Sequence, residues 1–138
     1  MKVQFVAGFG PIAPDPDASA AFYSGALGID FEEDEGYSHT DKVPGVKAFA
    51  IWPLSQAAES TFGRSDWPDH LPTPQAWLEF DVASEAAVSE AMGELEAKGY
   101  RPLLPPKKEP WGQTVSRLLS PEGMLVGIVY TPWMHEEA

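Results

Sequence analysis

One plan is written twice along these 138 residues. Asp15-Pro16-Asp17-Ala18-Ser19-Ala20-Ala21-Phe22 opens a helix after an apolar strand, and Asp81-Val82-Ala83-Ser84-Glu85-Ala86-Ala87-Val88 opens another after a second strand. A repeated strand-helix unit cannot bury its sheet face alone, so the copies must close on one another, and a ligand site is expected between them. At this length the halves share one compact domain rather than forming two independent ones. The expected division is a first module over about 1–54, a linker over about 55–74 and a second module over about 75–138.

The local signals fill in each copy. Val3, Phe5, Ala7 and Phe9 alternate as in a half-buried strand, and Asp15-Pro16 supplies an N-cap followed by proline in the first helical turn. The helix is expected to run to Leu27 with Ala18, Phe22, Tyr23, Ala26 and Leu27 as its apolar stripe, and Gly28 stops it. Strands are expected over 29–33, 37–40 and 46–54. Residues 55–74, rich in Ser, Asp and Pro, read as an irregular functional loop or crossover. In the second copy, 75–81 reads as a strand and 84–98 as a helix burying Val88, Ala91, Met92 and Leu95, with Glu94 and Lys98 paired one turn apart. A strand at 100–104 follows. A hairpin then joins 113–119 to 124–130 across Ser120-Pro121-Glu122-Gly123.

Composition excludes several classes of function. The chain has no cysteine, so disulfides, thiolate metal sites and cysteine nucleophiles are absent. A formal charge of -12 argues against nucleic acid as a partner, which needs clustered Lys and Arg, and favours cationic or neutral ligands. No apolar run approaches the ~20 residues that cross a bilayer, and the first residues lack the pattern of a secretion signal, so no membrane partner and a cytoplasmic location are expected.

Two segments carry a family resemblance. Phe22-Tyr23-Ser24-Gly25-Ala26-Leu27-Gly28 resembles the Phe-Tyr-x-x-x-Leu-Gly helix end of the vicinal oxygen chelate superfamily, also called the glyoxalase/bleomycin resistance/dioxygenase group. Leu119-Ser120-Pro121-Glu122-Gly123-Met124-Leu125-Val126 resembles its Asp-Pro-x-Gly turn, with serine in place of aspartate. The resemblance implies an α+β fold of two tandem βαβββ modules whose curved mixed sheet surrounds a shared cleft, and a homodimer. Metal-dependent relatives place ligands at positions that fall here on Gly8, Trp52, Gln75 and Gly127. Three of these cannot donate an electron pair to a cation, and His39, His70 and His135 show no ligand spacing, so neither a metal nor another cofactor is expected.

Strand parity then nominates the site. Gln75, Trp77, Glu79 and Asp81 share one face of their strand, and Ala48, Ala50 and Trp52 face inward from the first copy. Glycines at 8 and 127 are expected to enlarge the cavity. Glu109-Pro110-Trp111-Gly112-Gln113 resembles the Pro-Trp-Gly segment of the antibiotic-binding branch of the superfamily. The expected ligand-binding residues are Trp52, Gln75, Trp77, Glu79, Trp111 and Gln113, sequestering a small aromatic or cationic molecule as bleomycin- or mitomycin-type resistance proteins do. The alternative is an enzyme of the same fold, a lyase, isomerase or ring-cleaving dioxygenase, either metal-dependent or metal-free with Glu79 as acid or base. Trp133 is expected at a dimer or edge contact.

Overall fold

The computed structural model describes residues 1–135. Its strands form one sheet of eight, in the order β2 (Glu32–Asp34), β3 (Tyr37–Thr40), β4 (Phe49–Pro53), β1 (Phe5–Ala13), β5 (Ala76–Asp81), β8 (Leu125–Tyr130), β7 (Thr114–Leu119) and β6 (Leu104–Lys108). Each copy is therefore a βαβββ module with its first strand parallel to its last, β1 to β4 and β5 to β8. The modules are fused through the antiparallel β1–β5 pair. The fold class read from the sequence is the one observed.

The second helix follows its signals closely. Ser84 caps α3 (Glu85–Ala97) by accepting from the Ala87 amide, and Val88, Ala91 and Met92 are buried. Val88 and Ala91 pack with Val82, Ile128 and Phe80 on the convex face of the sheet. Full burial of a side chain the size of Val88 or Met92 contributes about 1.5–3 kcal/mol. The Glu94 carboxylate accepts from the Met1 ammonium at 2.8 Å, and Lys98, one turn on, acts on it as the weaker charge partner.

The first helix departs further. Asp15 caps it through the Ala18 amide, but α1 is regular only over Pro16–Ala20 and then widens into a π-helical turn at Ala21–Ala26. The stripe expected to be buried is not, for Phe22 and Leu27 are 53% and 56% exposed. The wider turn spoils the three-and-four spacing on which that stripe depended. The edge strands are also displaced: β2 begins at Glu32 rather than Ile29, and β6 runs over Leu104–Lys108 rather than 100–104, with an irregularity in its pairing that spans Pro105 and Pro106. Edge strands tolerate proline because they need not donate on their outer side.

The largest correction concerns residues 55–74. Leu54–Phe62 is a helix, α2, ended by Gly63 in the left-handed conformation. Leu54, Ala57, Ala58, Thr61 and Phe62 recur at helical spacing, and this face settles on the concave side of the sheet. Ala57 and Ala58 join Ile12, Ala50, Trp67, Trp77 and Leu125 in one buried cluster. Part of the cleft between the modules is therefore filled by the chain itself.

Close approach of β1 and β4 explains one glycine. A Cβ at Gly10 would lie 1.9 Å from the Ala50 carbonyl oxygen, so no side chain fits there. That carbonyl accepts from the Trp77 indole N–H at 3.2 Å. Among the described residues no helix is long and apolar enough to cross a membrane.

Candidate functional site

Strand register sets the site. Gly8 pairs with Glu79, Glu79 with Gly127, and Gly127 with Arg117, so these four form a row across β1, β5, β8 and β7. Paired residues in neighbouring strands project to the same face, which here is the concave one. A residue without a side chain thus separates the Glu79 carboxylate from the Arg117 guanidinium. Glu79 leans over that gap, its Cγ 3.1 Å from where a Cβ of residue 127 would stand.

Gln113 organises the carboxylate. Its Nε2 donates to Thr131 Oγ1 at 2.8 Å and reaches Glu79 Oε1 at 3.4 Å, while its Oε1 accepts from Trp111 Nε1 at 3.1 Å. Arg117, only 4% exposed, donates from Nη1 to Ser60 Oγ of α2 at 2.9 Å and lies 5.0 Å from the centre of the Trp52 ring. Half-buried Tyr37 faces both charges from β3.

Burial dominates the electrostatics. Desolvation raises the Glu79 pKa above the usual carboxylate value; Arg117 and the Gln113 hydrogen bond oppose the rise, and nearby Asp81 adds to it. Desolvation likewise lowers Arg117, against the attraction of Glu79, Glu109 and Tyr37. Tyr37 is held above the ordinary phenol value, first by burial and then by Glu79, with Arg117 acting the other way. The tyrosine hydroxyl therefore stays protonated and available as a donor. Together these groups can hold a polar ligand atom between opposite charges, or exchange a proton through Glu79.

The residues singled out in the sequence are brought together only in part. Trp52, Glu79, Gln113 and Trp111 belong to this cluster, with Trp111 at its rim, 58% exposed. Trp77 is 5% exposed, edge-on to Trp52 at 6.1 Å, with its indole N–H already bonded to Ala50. It is a wall of the cleft more than a free surface. Gln75 lies exposed ahead of β5, four positions from Glu79 and thus roughly 13 Å along an extended strand. The expected cavity at the glycines is also corrected: Gly8 faces the Trp77 ring and the Ala48 carbonyl, and Gly127 faces Glu79, so both accommodate neighbouring groups and leave no open volume.

Arg117 and Tyr37 were not singled out. The signal for Arg117 was a lone cation inside the short strand Thr114–Leu119, on the same parity as Gln113. His135, which showed no ligand spacing in the sequence, pairs through Nε2 with Asp81 Oδ1, and its ring lies 5.0 Å from both Phe5 and Tyr130.

Two surface hollows lie elsewhere. One of about 510 Å³ flanks α2 beside Pro53, Arg64, Asp66 and Trp67, and one of about 320 Å³ adjoins Phe9, Val43, Val46 and Phe49. Neither includes Glu79 or Arg117, so the chemistry of the cluster, not the size of a hollow, marks the candidate site.

A family profile for the glyoxalase/bleomycin resistance protein/dioxygenase superfamily matches residues 9–128. The chain belongs to that superfamily. Solved structures share the fold at low identity. A superfamily member from Vibrio splendidus is 14% identical, with 92% of this chain and 98% of that one covered and a TM-score of 0.59. A Legionella pneumophila protein described as an NAD-dependent benzaldehyde dehydrogenase is 16% identical over 89% and 96%, with a TM-score of 0.58. A Streptomyces coelicolor methylmalonyl-CoA epimerase variant in complex with 2-nitronate-propionyl-CoA is 18% identical over 95% and 99%, with a TM-score of 0.54. No curated protein matches the chain.

The superfamily's metal-dependent members prompt a test of the donor set. The positions that the sequence resemblance assigns to their ligands are two glycines, a tryptophan and the exposed Gln75, and indole nitrogen is a donor only. Among the described residues no three His, Asp or Glu side chains converge as a cation requires. These residues do not fit a metal held in the family manner.

Proposed function

We propose that this superfamily member binds a small aromatic molecule without a metal, on the concave face where Trp52, Glu79, Gln113 and Trp111 meet. The supporting observation is the convergence of both modules on one polar cluster walled by indole rings. Tyr37 and Trp52 come from the first module, and Glu79, Gln113 and Arg117 from the second. Binding sites of this kind combine apolar walls with a few placed polar groups. A cationic ligand is less favoured than an aromatic one, since Arg117 already supplies a positive charge beside Glu79. The reading includes a homodimer, in which a second copy covers apolar surface such as the half-exposed Trp133; sedimentation equilibrium checks it, and a monomer at micromolar concentration refutes it.

The test of binding is tryptophan fluorescence against a panel of small aromatic compounds, followed by mass analysis of the recovered compound. Saturable quenching that weakens at least tenfold in Trp52→Ala, with the compound recovered unchanged, is the expected result. Quenching that is indifferent to Trp52 and Trp111 removes the site from the proposal.

A second reading is proton transfer by Glu79. The observation favouring it is that burial raises this carboxyl toward the range where a side chain both takes and gives a proton near neutrality. A chemically altered product that disappears in Glu79→Gln distinguishes it from sequestration.

A further inference from the structure

Arg117 is a buried cation without a counter-ion in contact. It is 4% exposed, and among the described residues its neighbours are the neutral Ser60 hydroxyl at 2.9 Å and the Trp52 ring at 5.0 Å. Glu79 and Glu109 influence it from a distance, yet neither forms an ion pair with it. Glu109 is engaged by Lys107 at 3.3 Å. Glu79 is turned toward Gln113. A guanidinium offers five N–H donors in a planar fork, and its one hydrogen bond here leaves most of that fork unused. Burying a charge in this state is unfavourable unless something completes it.

The geometry points to Arg117 as the recognition group for an anionic ligand, a carboxylate or similar planar oxyanion attached to the aromatic body. This rests on the reading of the concave cluster as a binding site and names the ligand's charge. Gly127 separates Glu79 from Arg117 and the Glu79 chain already lies over it, so the anion is placed at the unbonded edge of the guanidinium and not over the glycine. A carboxylate at that edge meets the guanidinium fork in the paired geometry that makes such contacts strong. The Tyr37 hydroxyl, which faces both charges, adds a neutral donor.

Glu79 sets a condition on this occupancy. An ionised Glu79 repels a ligand carboxylate, whereas a protonated one offers it a further donor. The charged and titratable groups facing Glu79 are Arg117 from β7, Tyr37 from β3 and its own neighbour Asp81, with Glu109 acting on Arg117 and His135 on Asp81. Desolvation is the largest influence on Glu79 and favours the protonated form. Ligand binding therefore takes up a proton, and affinity falls as pH rises through the Glu79 titration.

Three probes of one shape separate the possibilities: 4-fluorobenzoate, 4-fluorobenzamide and 4-fluorobenzylammonium, followed by fluorine NMR of the full chain. The acid is expected to bind at least tenfold more tightly than the amide, with the ammonium weakest. Arg117→Met abolishes the preference of acid over amide. Glu79→Gln flattens the pH dependence of acid binding and tightens the acid at the pH values where the parent's Glu79 is ionised, which covers the case in which Arg117→Met does not fold. Equal binding of acid and amide, a preference for the ammonium, or weaker acid binding in Glu79→Gln overturns the inference while leaving the cleft a binding site. Failure of all three probes at millimolar concentration overturns both.

Discussion

Gly10→Ala tests the packing on which the site stands. The new Cβ would sit 1.9 Å from the Ala50 oxygen, about 1.5 Å short of the 3.4 Å at which ordinary contact begins, and the obstacle is backbone that no rotamer change can move. Relief requires β1 and β4 to separate. That movement breaks the 3.2 Å bond from Trp77 to Ala50 and strains the adjacent ladder. Two lost hydrogen bonds at about 1 kcal/mol each, with about 1–3 kcal/mol of overpacking, give a loss of about 3–5 kcal/mol. Unfolding entropy near 2.1 cal/mol/K per residue turns this into a fall in Tm of about 10–17 °C for a chain of 138 residues. Urea unfolding and thermal melts followed by circular dichroism supply the measurement. Gly93→Ala, inside α3 with nothing within 4 Å of the new Cβ, is the matched control and should gain about 0.5–1 kcal/mol. A Gly10→Ala protein within about 1 kcal/mol of the parent would refute the close approach of β1 to β4 and the placement of Trp77 that follows from it.

Two further outcomes follow from buried carboxylates. Because the Glu79 pKa is higher folded than unfolded, the unfolded chain loses this proton first, so the residue's contribution to stability falls as pH rises from the ordinary carboxylate range through the folded value. Glu79→Gln should therefore gain on the parent over that interval in urea titrations; parallel stability curves would contradict the raised titration. His135→Ala should cost about 1–3 kcal/mol, since the Asp81 carboxylate would keep only the Thr131 amide, which lies 3.2 Å from Oδ1, as a partner. Hydrogen exchange at the Met134 amide, bonded to Thr131 within the last turn, should quicken with it, and unchanged protection there would mean that the histidine does not anchor that turn.

Much of this architecture was written in period and punctuation. The paired strand-helix openings led to two βαβββ modules, and parity on β5 grouped Trp77, Glu79 and Asp81 on one face, where Trp77 packs with Ala57 and Ala58 of α2 while Phe80 lies on the other with α3. Helix α2 was missed although Leu54, Ala57, Ala58, Thr61 and Phe62 spell a helical stripe, because small residues score weakly as apolar and the following Ser-Asp-Pro composition suggested a loop. Arg117 was legible by extending strand parity from Gln113, which the Pro-Trp-Gly resemblance had nominated, to the residue four positions on. What no pattern could reveal was the row across four strands: that Glu79 and Arg117 stand on either side of Gly127 depends on pairing register, which is fixed by contacts distant in sequence. The π-helical widening after Ala20 belongs to the same category, since the local residues alone suit an ordinary helix.

The tight fit around Gly8 limits what that position can become. Any side chain there would start 2.8 Å from the Ala48 carbonyl and 3.0 Å from the Trp77 ring, so the position is open to no larger residue while its neighbours stay put. Placing a coordinating imidazole at that point would need the backbone at Ala48 to move away and the Trp77 indole to be traded for something smaller. No single substitution can therefore build a cation ligand at this end of the row.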